Sequence, residues 1–188
     1  EEKVNMIHAS SSFTSGGVPR LHIPELTMSD GPHGVRMEHG RGWDELHVDD
    51  SDTYLPTGIT LAATWNPQLG YAFGTVLGSE ANARGKDVIL GPGICIMRTP
   101  LNGRNFEYLS EDPFLVSKMA VGYIRGVQDQ GIGACVKHYL ANNQETDRNT
   151  INVDMSERAL HEIYLPGFKA AVQQGHVLTL MGSYNKFR

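Results

Sequence analysis

Residues 113–139, PFLVSKMAVGYIRGVQDQGIGACVKHY, contain a helix and a strand in direct succession. Leu115, Met119, Tyr123 and Val127 recur at every fourth residue, which puts them on one face of a helix running from about Pro113 to Gln128. Gly131 supplies the stop. Ala134-Cys135-Val136-Lys137-His138-Tyr139 then reads as a strand that is apolar where it starts and charged where it ends. A helix that returns the chain to a buried apolar strand is the repeating unit of a parallel sheet.

The same unit is legible on both sides. Upstream, Ile23 to Asp30 reads as a strand closed by the Gly31-Pro32 turn, and a polar, Gly-containing loop follows to about Tyr54. Asn66-Pro67 opens a helix, with Asn as cap and Pro at the first position, and it continues through Leu69, Phe73, Val76 and Leu77 to a stop at Gly85. Val88-Ile89-Leu90 is the second strand, followed by a long loop to Ser110-Glu111-Asp112-Pro113, where Glu111 and Asp112 are expected to cap the next helix. Downstream, Ser156 caps a helix whose apolar stripe is Leu160, Ile163, Tyr164, Phe168, Ala171 and Val172, with Pro166 expected to kink it. Val177 to Met181 is the fourth strand, and Gly182-Ser183-Tyr184-Asn185 is its polar tip. The fold class is therefore α/β, a partial TIM-type (β/α) barrel of about four parallel strands with intervening helices. A closed barrel has eight strands and typically about 250 residues. The 188 residues of this chain suit about half of one, as a single domain.

Composition excludes several function classes. Hydrophobic residues at 40% and charged residues at 20% are the balance of a soluble globular domain, not of a disordered chain. A net charge of −5 argues against nucleic acid as a partner. No apolar run approaches the roughly 20 residues needed to cross a bilayer, and the opening Glu1-Glu2-Lys3 is no secretion signal, so no membrane partner is expected. Cys95 and Cys135 each sit in an apolar or small-residue run and read as buried core thiols. With no His-Glu-x-x-His helix and only two cysteines, no metal site is expected.

In parallel α/β folds, binding groups collect at the carboxyl ends of strands. Here those ends carry Asp30, then Arg98 and Arg104, then Lys137, His138 and Arg148, and finally Tyr184. Such a set suits a polyhydroxylated ligand, since carboxylates accept from hydroxyls while Arg, Lys and His donate to them. Structural roles compete for several of these residues. Asp30 before Gly-Pro can cap a turn, Arg104 can form a surface ion pair, and Arg148 can pair locally within Glu145-Thr146-Asp147-Arg148. Lys137 is harder to place structurally, because an ammonium on a buried apolar strand is costly unless paired or facing a polar cavity.

These stretches resemble glycoside hydrolase family 3, the β-glucosidase-like enzymes. Ser29-Asp30-Gly31-Pro32-His33-Gly34-Val35-Arg36, Leu55-Pro56-Thr57-Gly58 and Ala63-Thr64-Trp65-Asn66-Pro67 are similar to the family's opening blocks. Arg98 to Tyr108 with Ser110-Glu111-Asp112-Pro113 resembles its long loop, and Lys137-His138-Tyr139 with Asn142 to Thr146 its paired basic motif. Met155 to Leu160, Glu162 to Pro166 and Ser183-Tyr184-Asn185-Lys186 extend the likeness over nearly the whole chain. The resemblance implies hydrolysis of terminal, non-reducing β-D-glycosyl residues, glucosyl first among them, with retention and without cofactor. It places Asp30, Arg104, Lys137, His138 and Arg148 around the terminal sugar and Tyr184 beside the nucleophile, while Arg98 supports the loop.

In the family the attacking Asp follows the next strand after the Tyr-Asn-Lys motif, and the general acid comes later still. Retaining hydrolysis needs both. The resemblance therefore implies a chain truncated before its nucleophile, with both catalytic carboxyls beyond Arg188 and a start, at Glu1-Glu2-Lys3-Val4, in the middle of a family helix. Such a chain is expected to bind sugar and to be inactive alone, its partners being a β-linked oligosaccharide or glycoside and the remainder of the parent chain. A non-catalytic carbohydrate-binding protein and a half-barrel that pairs with a second copy of itself are the competing readings. Relatives are often exported in bacteria, which makes a periplasmic or secreted parent the expectation.

Overall fold

A computed structural model describes residues 1–36 and 51–188 of the chain. The first elements form a small antechamber: α1 (Glu2–Ile7), the antiparallel hairpin β1 (Ala9–Ser11) and β2 (Thr14–Ser15), and a single 3-10 turn at Pro19–Leu21. The main sheet then begins with β3 (Met28–Ser29). After α2 (Gly58–Ala62) and α3 (Pro67–Ala83) come β4 (Val88–Ile89), α4 (Pro113–Gln128) and β5 (Gly133–Tyr139). β6 (Asn152–Val153), α5 (Glu157–Ala159), a π turn at Leu160–Tyr164, α6 (Leu165–Gln173), β7 (Thr179–Gly182) and β8 (Lys186–Phe187) complete the order. β3, β4, β5 and β7 form one four-stranded sheet in that order, every pair parallel, as expected. β6 and β8 make a separate parallel pair beyond the carboxyl ends of β5 and β7.

The helix boundaries follow local chemistry. Asn66 accepts from the Gln68 amide, Asp112 accepts from the amides of Phe114 and Leu115, and Ser156 accepts from Ala159, each side chain filling a donor that the first helical turn leaves open. The cap on α4 is Asp112 alone; Glu111 instead lines a surface groove with Trp65 and Ile59. Gly131 takes φ 78°, the left-handed conformation that ends this stretch. Pro166 cannot donate to the carbonyl of Glu162, and the helix answers with the π turn immediately before it rather than with a simple kink.

The expected strands are present but shorter or shifted. Residues 23–27 do not belong to the sheet: Ile23 exchanges backbone hydrogen bonds with Val18 and the Leu26 carbonyl accepts from Ser15, so the segment is held by the upstream hairpin region, while the Thr27 carbonyl accepts from the amides of Asp87 and Val88 at the start of β4. Leu90 falls outside β4, and β7 begins only at Thr179, because the amide of Val177 closes the end of α6 and that of Leu178 donates to the Gln128 side chain. α2 was not expected from sequence. Thr57 caps it through the Thr60 amide. The loop expected to run to about Tyr54 lies partly outside the described residues. Both cysteines are buried and free. Among the described residues no helix is long and apolar enough to cross a membrane.

The core lies between the sheet and α3, α4 and α6. Val116, Met119, Ala120, Ile124 and Val127 of α4 pack with Leu77 and Ala81 of α3 and with Ile89, Ala134 and Val136 of the sheet, all of them sealed from solvent. α3 and α4 touch backbone to backbone. A Cβ at Gly74 would lie 2.2 Å from the Tyr123 carbonyl oxygen, and one at Gly126 would lie 2.1 Å from that of Tyr71. No side chain fits there, and because α4 leads directly into β5, its depth sets where the strand emerges. Gly126→Ala is expected to cost about 1–3 kcal/mol of stability through forced separation of the two helices, read as a lower midpoint in urea denaturation with an unchanged slope.

Candidate active site

Lys137 is the fixed point. It stands near the carboxyl end of β5 with its side chain only 4% exposed, and an ammonium there needs carboxylate partners. It has two: Asp30, directly after β3, at 2.7 Å, and Glu107, in the loop after β4, at 3.4 Å. Asp30 Oδ1 also accepts from the Gly31 amide at 2.8 Å, so the turn role and the ion pair hold together. Its second oxygen has no partner among the described residues, and the side chain is a third exposed.

Glu107 passes the contact on. Its Oε1 accepts from Arg104 Nε at 2.6 Å within a single 3-10 turn, Asn105–Glu107. Arg104 Nη1 donates to Glu145, whose other oxygen accepts from Arg148 at 3.1 Å. The Arg148 guanidinium lies 4.4 Å above the Tyr184 ring, close enough for a cation–π contact. Three cations (Arg104, Lys137, Arg148) thus alternate with three carboxylates (Asp30, Glu107, Glu145) across the tips of the sheet.

His138 is joined to Lys137 by a cis peptide bond and closes the inner side of the cluster. Arg104 Nη2 lies 3.3 Å from His138 Nε2 and the Tyr108 hydroxyl 3.0 Å from Nδ1. A guanidinium only donates, so Nε2 must accept, which leaves the proton on Nδ1 facing Tyr108. The Tyr108 hydroxyl in turn donates to the Asn142 carbonyl. Burial, and then the charges of Lys137, Arg104 and Arg148, push the His138 imidazole down to about 2. Burial alone would lower the Arg104 pKa, but the charge and hydrogen bond of Glu107 and the Glu145 contact outweigh it and the net shift is upward. Burial, with Cys95 and Glu107 adding to it, raises Tyr108 and keeps it a phenol.

The six substrate-site residues named from sequence, Asp30, Arg104, Lys137, His138 and Arg148 around the sugar and Tyr184 beside the nucleophile, therefore belong to one continuous set of contacts. The surface ion-pair reading of Arg104 is overturned: its side chain is 10% exposed and its partner Glu107 is 3% exposed. Arg148 does make its local pair with Glu145, and it also reaches Tyr184. Arg98 stands apart. It packs 5.8 Å over the Tyr164 ring and lines an asparagine-rich cavity of about 310 Å³ behind the cluster, a supporting position. Glu107 and Tyr108 enter the sequence reading without an assigned site role, and Glu145 only in the local pairing of Arg148, yet all three hold the cluster together. The available signal was spacing, because Glu107 and Glu145 each stand three residues from an arginine of the set. Among the described residues no group of three or more His, Cys, Asp or Glu could hold a metal ion.

Fold and site together define a parallel β/α sheet of TIM-barrel type with a dense polar cluster at its carboxyl face. The chain belongs to glycosyl hydrolase family 3, its residues 20–188 matching the Glycosyl hydrolase family 3 N terminal domain. It is 55% identical over 194 aligned residues to a beta-glucosidase of Bacteroides ovatus, BoGH3A, covering 100% of this chain and 25% of that protein. It is 42% identical to an exo-alpha-(1->6)-L-arabinopyranosidase of Bifidobacterium longum, covering 99% and 25%. Among solved structures, beta-glucosidase 3B of Thermotoga neapolitana in complex with glucose superposes with a TM-score of 0.84 at 46% identity, over 93% of this chain and 24% of that one. The chain thus spans about a quarter of the length of the relatives it matches.

The neutral imidazole has a consequence in solution. His138 takes a proton near pH 6.5 in the unfolded chain but not in the folded one, so below that pH the unfolded state binds more protons and stability falls as pH drops. The expected slope is up to about 1.4 kcal/mol per pH unit. His138→Gln, which keeps a donor and an acceptor, should flatten it in urea denaturation compared at about pH 7 and pH 5; an unchanged slope would assign the titration to another group.

Proposed function

We propose that this chain supplies the sugar-binding subsite of a retaining glycoside hydrolase that removes terminal, non-reducing β-D-glucosyl residues, and that residues 1–188 form one domain, the first half of the catalytic barrel. The observation that carries the reading is the unbroken line of contacts from Asp30 to Tyr184 across the strand tips. Asp30, Lys137 and Arg104 in that line are held by protein partners and keep capacity for a ligand. Asp30 offers its second oxygen, Lys137 has one N–H beyond those given to its two carboxylates, and Arg104 has two of its five N–H groups left after Glu107, Glu145 and His138. Pyranose hydroxyls both donate and accept, and a patterned set of fixed charged donors and acceptors recognises them. The names of the relatives, and the glucose complex among the similar structures, favour the same reading.

The chemistry itself is assigned elsewhere. A nucleophilic carboxylate must attack the anomeric carbon and a second group must protonate the leaving oxygen. Asp30, Glu107 and Glu145 are each paired with one or two cations, which hold their oxygens in place and offset the charge an attacking carboxylate would use. The attacking and protonating carboxyls therefore come from outside this cluster, and the isolated 188-residue chain is expected not to turn over. An aryl β-glucoside hydrolysed by that chain would contradict this assignment. In the enzyme expressed from its complete gene, Asp30→Ala is expected to weaken glucose about 10- to 100-fold, the worth of a charged hydrogen bond. Calorimetry showing glucose affinity unchanged would remove Asp30, and with it the subsite reading.

A further inference from the structure

We infer that Glu107 is a positioning residue: it touches no substrate, but aims the free N–H groups of Lys137 and Arg104 at the ligand. The inference rests on the sugar-site reading above and goes beyond it, to what holds that site in register.

Glu107 is the one described residue that pairs with both cations, which come from different elements, Lys137 from β5 and Arg104 from the loop after β4. Its two oxygens are divided between them, Oε1 to Arg104 Nε at 2.6 Å and Oε2 toward Lys137 Nζ at 3.4 Å. Its side chain is only 3% exposed and both of its oxygens face these cations, which leaves it no group to offer a ligand. The geometry of an ammonium gives this pairing its purpose. Three N–H bonds radiate from Nζ, and rotation about the Cε–Nζ bond moves them together. One partner, Asp30, anchors a single direction on the exposed side. A second, Glu107, fixes the rotation, so the third N–H has one direction left. Arg104 is constrained in the same way: Glu107 holds Nε, Glu145 holds Nη1 and His138 accepts from Nη2, which locks the plane of the guanidinium.

Replacing Glu107 by Gln affects the two ends unequally. The amide oxygen can still accept from Arg104 Nε, but the amide nitrogen then faces Lys137 as donor to donor. The loss should fall at Lys137, and a double-mutant cycle isolates it. Enzyme expressed from the complete gene is compared as wild type, Glu107→Gln, Lys137→Met and the double variant, reading glucose affinity by calorimetry and the thermal midpoint. Glucose is expected to weaken about tenfold in Glu107→Gln; the midpoint is expected to fall too, because a buried ammonium loses a partner, so affinity is read well below it. The double variant is expected to lie within about threefold of Lys137→Met, since no ammonium then remains to be aimed. Glu107→Asp keeps the charge but is one methylene shorter and cannot span both cations; its glucose affinity should fall as well, and it carries the test if Glu107→Gln does not fold. Wild-type affinity in the folded Glu107 variants, or two losses that multiply in full in the double variant, overturns the role of Glu107 while leaving the sugar site in place. A Lys137→Met enzyme that binds glucose normally overturns the site reading and this inference with it.

Discussion

An ammonium buried among apolar neighbours sets the terms for everything around it. Lys137 follows Ala134, Cys135 and Val136 on a strand packed under α4, and its charge is tolerable there only because carboxylates from two other strand ends converge on it. Asp30 arrives from β3 and Glu107 from the loop after β4, so one charge-pairing requirement gathers three consecutive strand tips of the sheet. Removing one partner would leave a buried charge short of compensation, a far larger cost than losing a surface pair. The long loop after β4 is ordered by the same demand. Its Arg104 and Glu107 are buried as a pair, and Tyr108 beside them is sealed against His138 and the Asn142 carbonyl.

The apolar half of the structure makes that convergence possible. α3 and α4 approach until backbone meets backbone at Gly74 and Gly126, and this close contact brings α4 deep enough for Val116, Met119 and Ile124 to reach the sheet. β5 then emerges at a fixed height: the parallel register through β4 sets Ser29 level with Ala134, so Lys137 stands two residues beyond the level of Asp30 along the sheet. Packing on the helical side thus decides distances on the polar side.

What could be read from sequence divides along the same line. The helix Pro113–Gln128 was legible to the residue, because a four-residue apolar period, a capping Asp and a closing Gly agree on one answer. The order of the four parallel strands was legible too, since each is a short apolar run between helical patterns. Strand ends were less so: Ile23 to Leu26 has strand-like residues, but its backbone partners are Val18 and Ser15, a tertiary choice that no local pattern announces. The six residues assigned to the site were legible as charged or polar groups at strand tips. Glu107 was visible only as one carboxylate among several, because its importance lies in touching Lys137, thirty residues away along the chain, and burial of both ends of that contact is a property of the folded loop.

The arrangement also explains why binding and chemistry are assigned to different groups. Three cations and three carboxylates cancel, so the strand tips present fixed charged donors and acceptors with no net charge. His138, with both ring nitrogens engaged and its proton affinity suppressed, cannot relay a proton. Charged groups held by partners in fixed directions make good fixed donors and acceptors for recognition. A glycosidase built on this cluster has to bring its reacting carboxyls from a less compensated environment, where one can be free to attack and the other free to give up a proton.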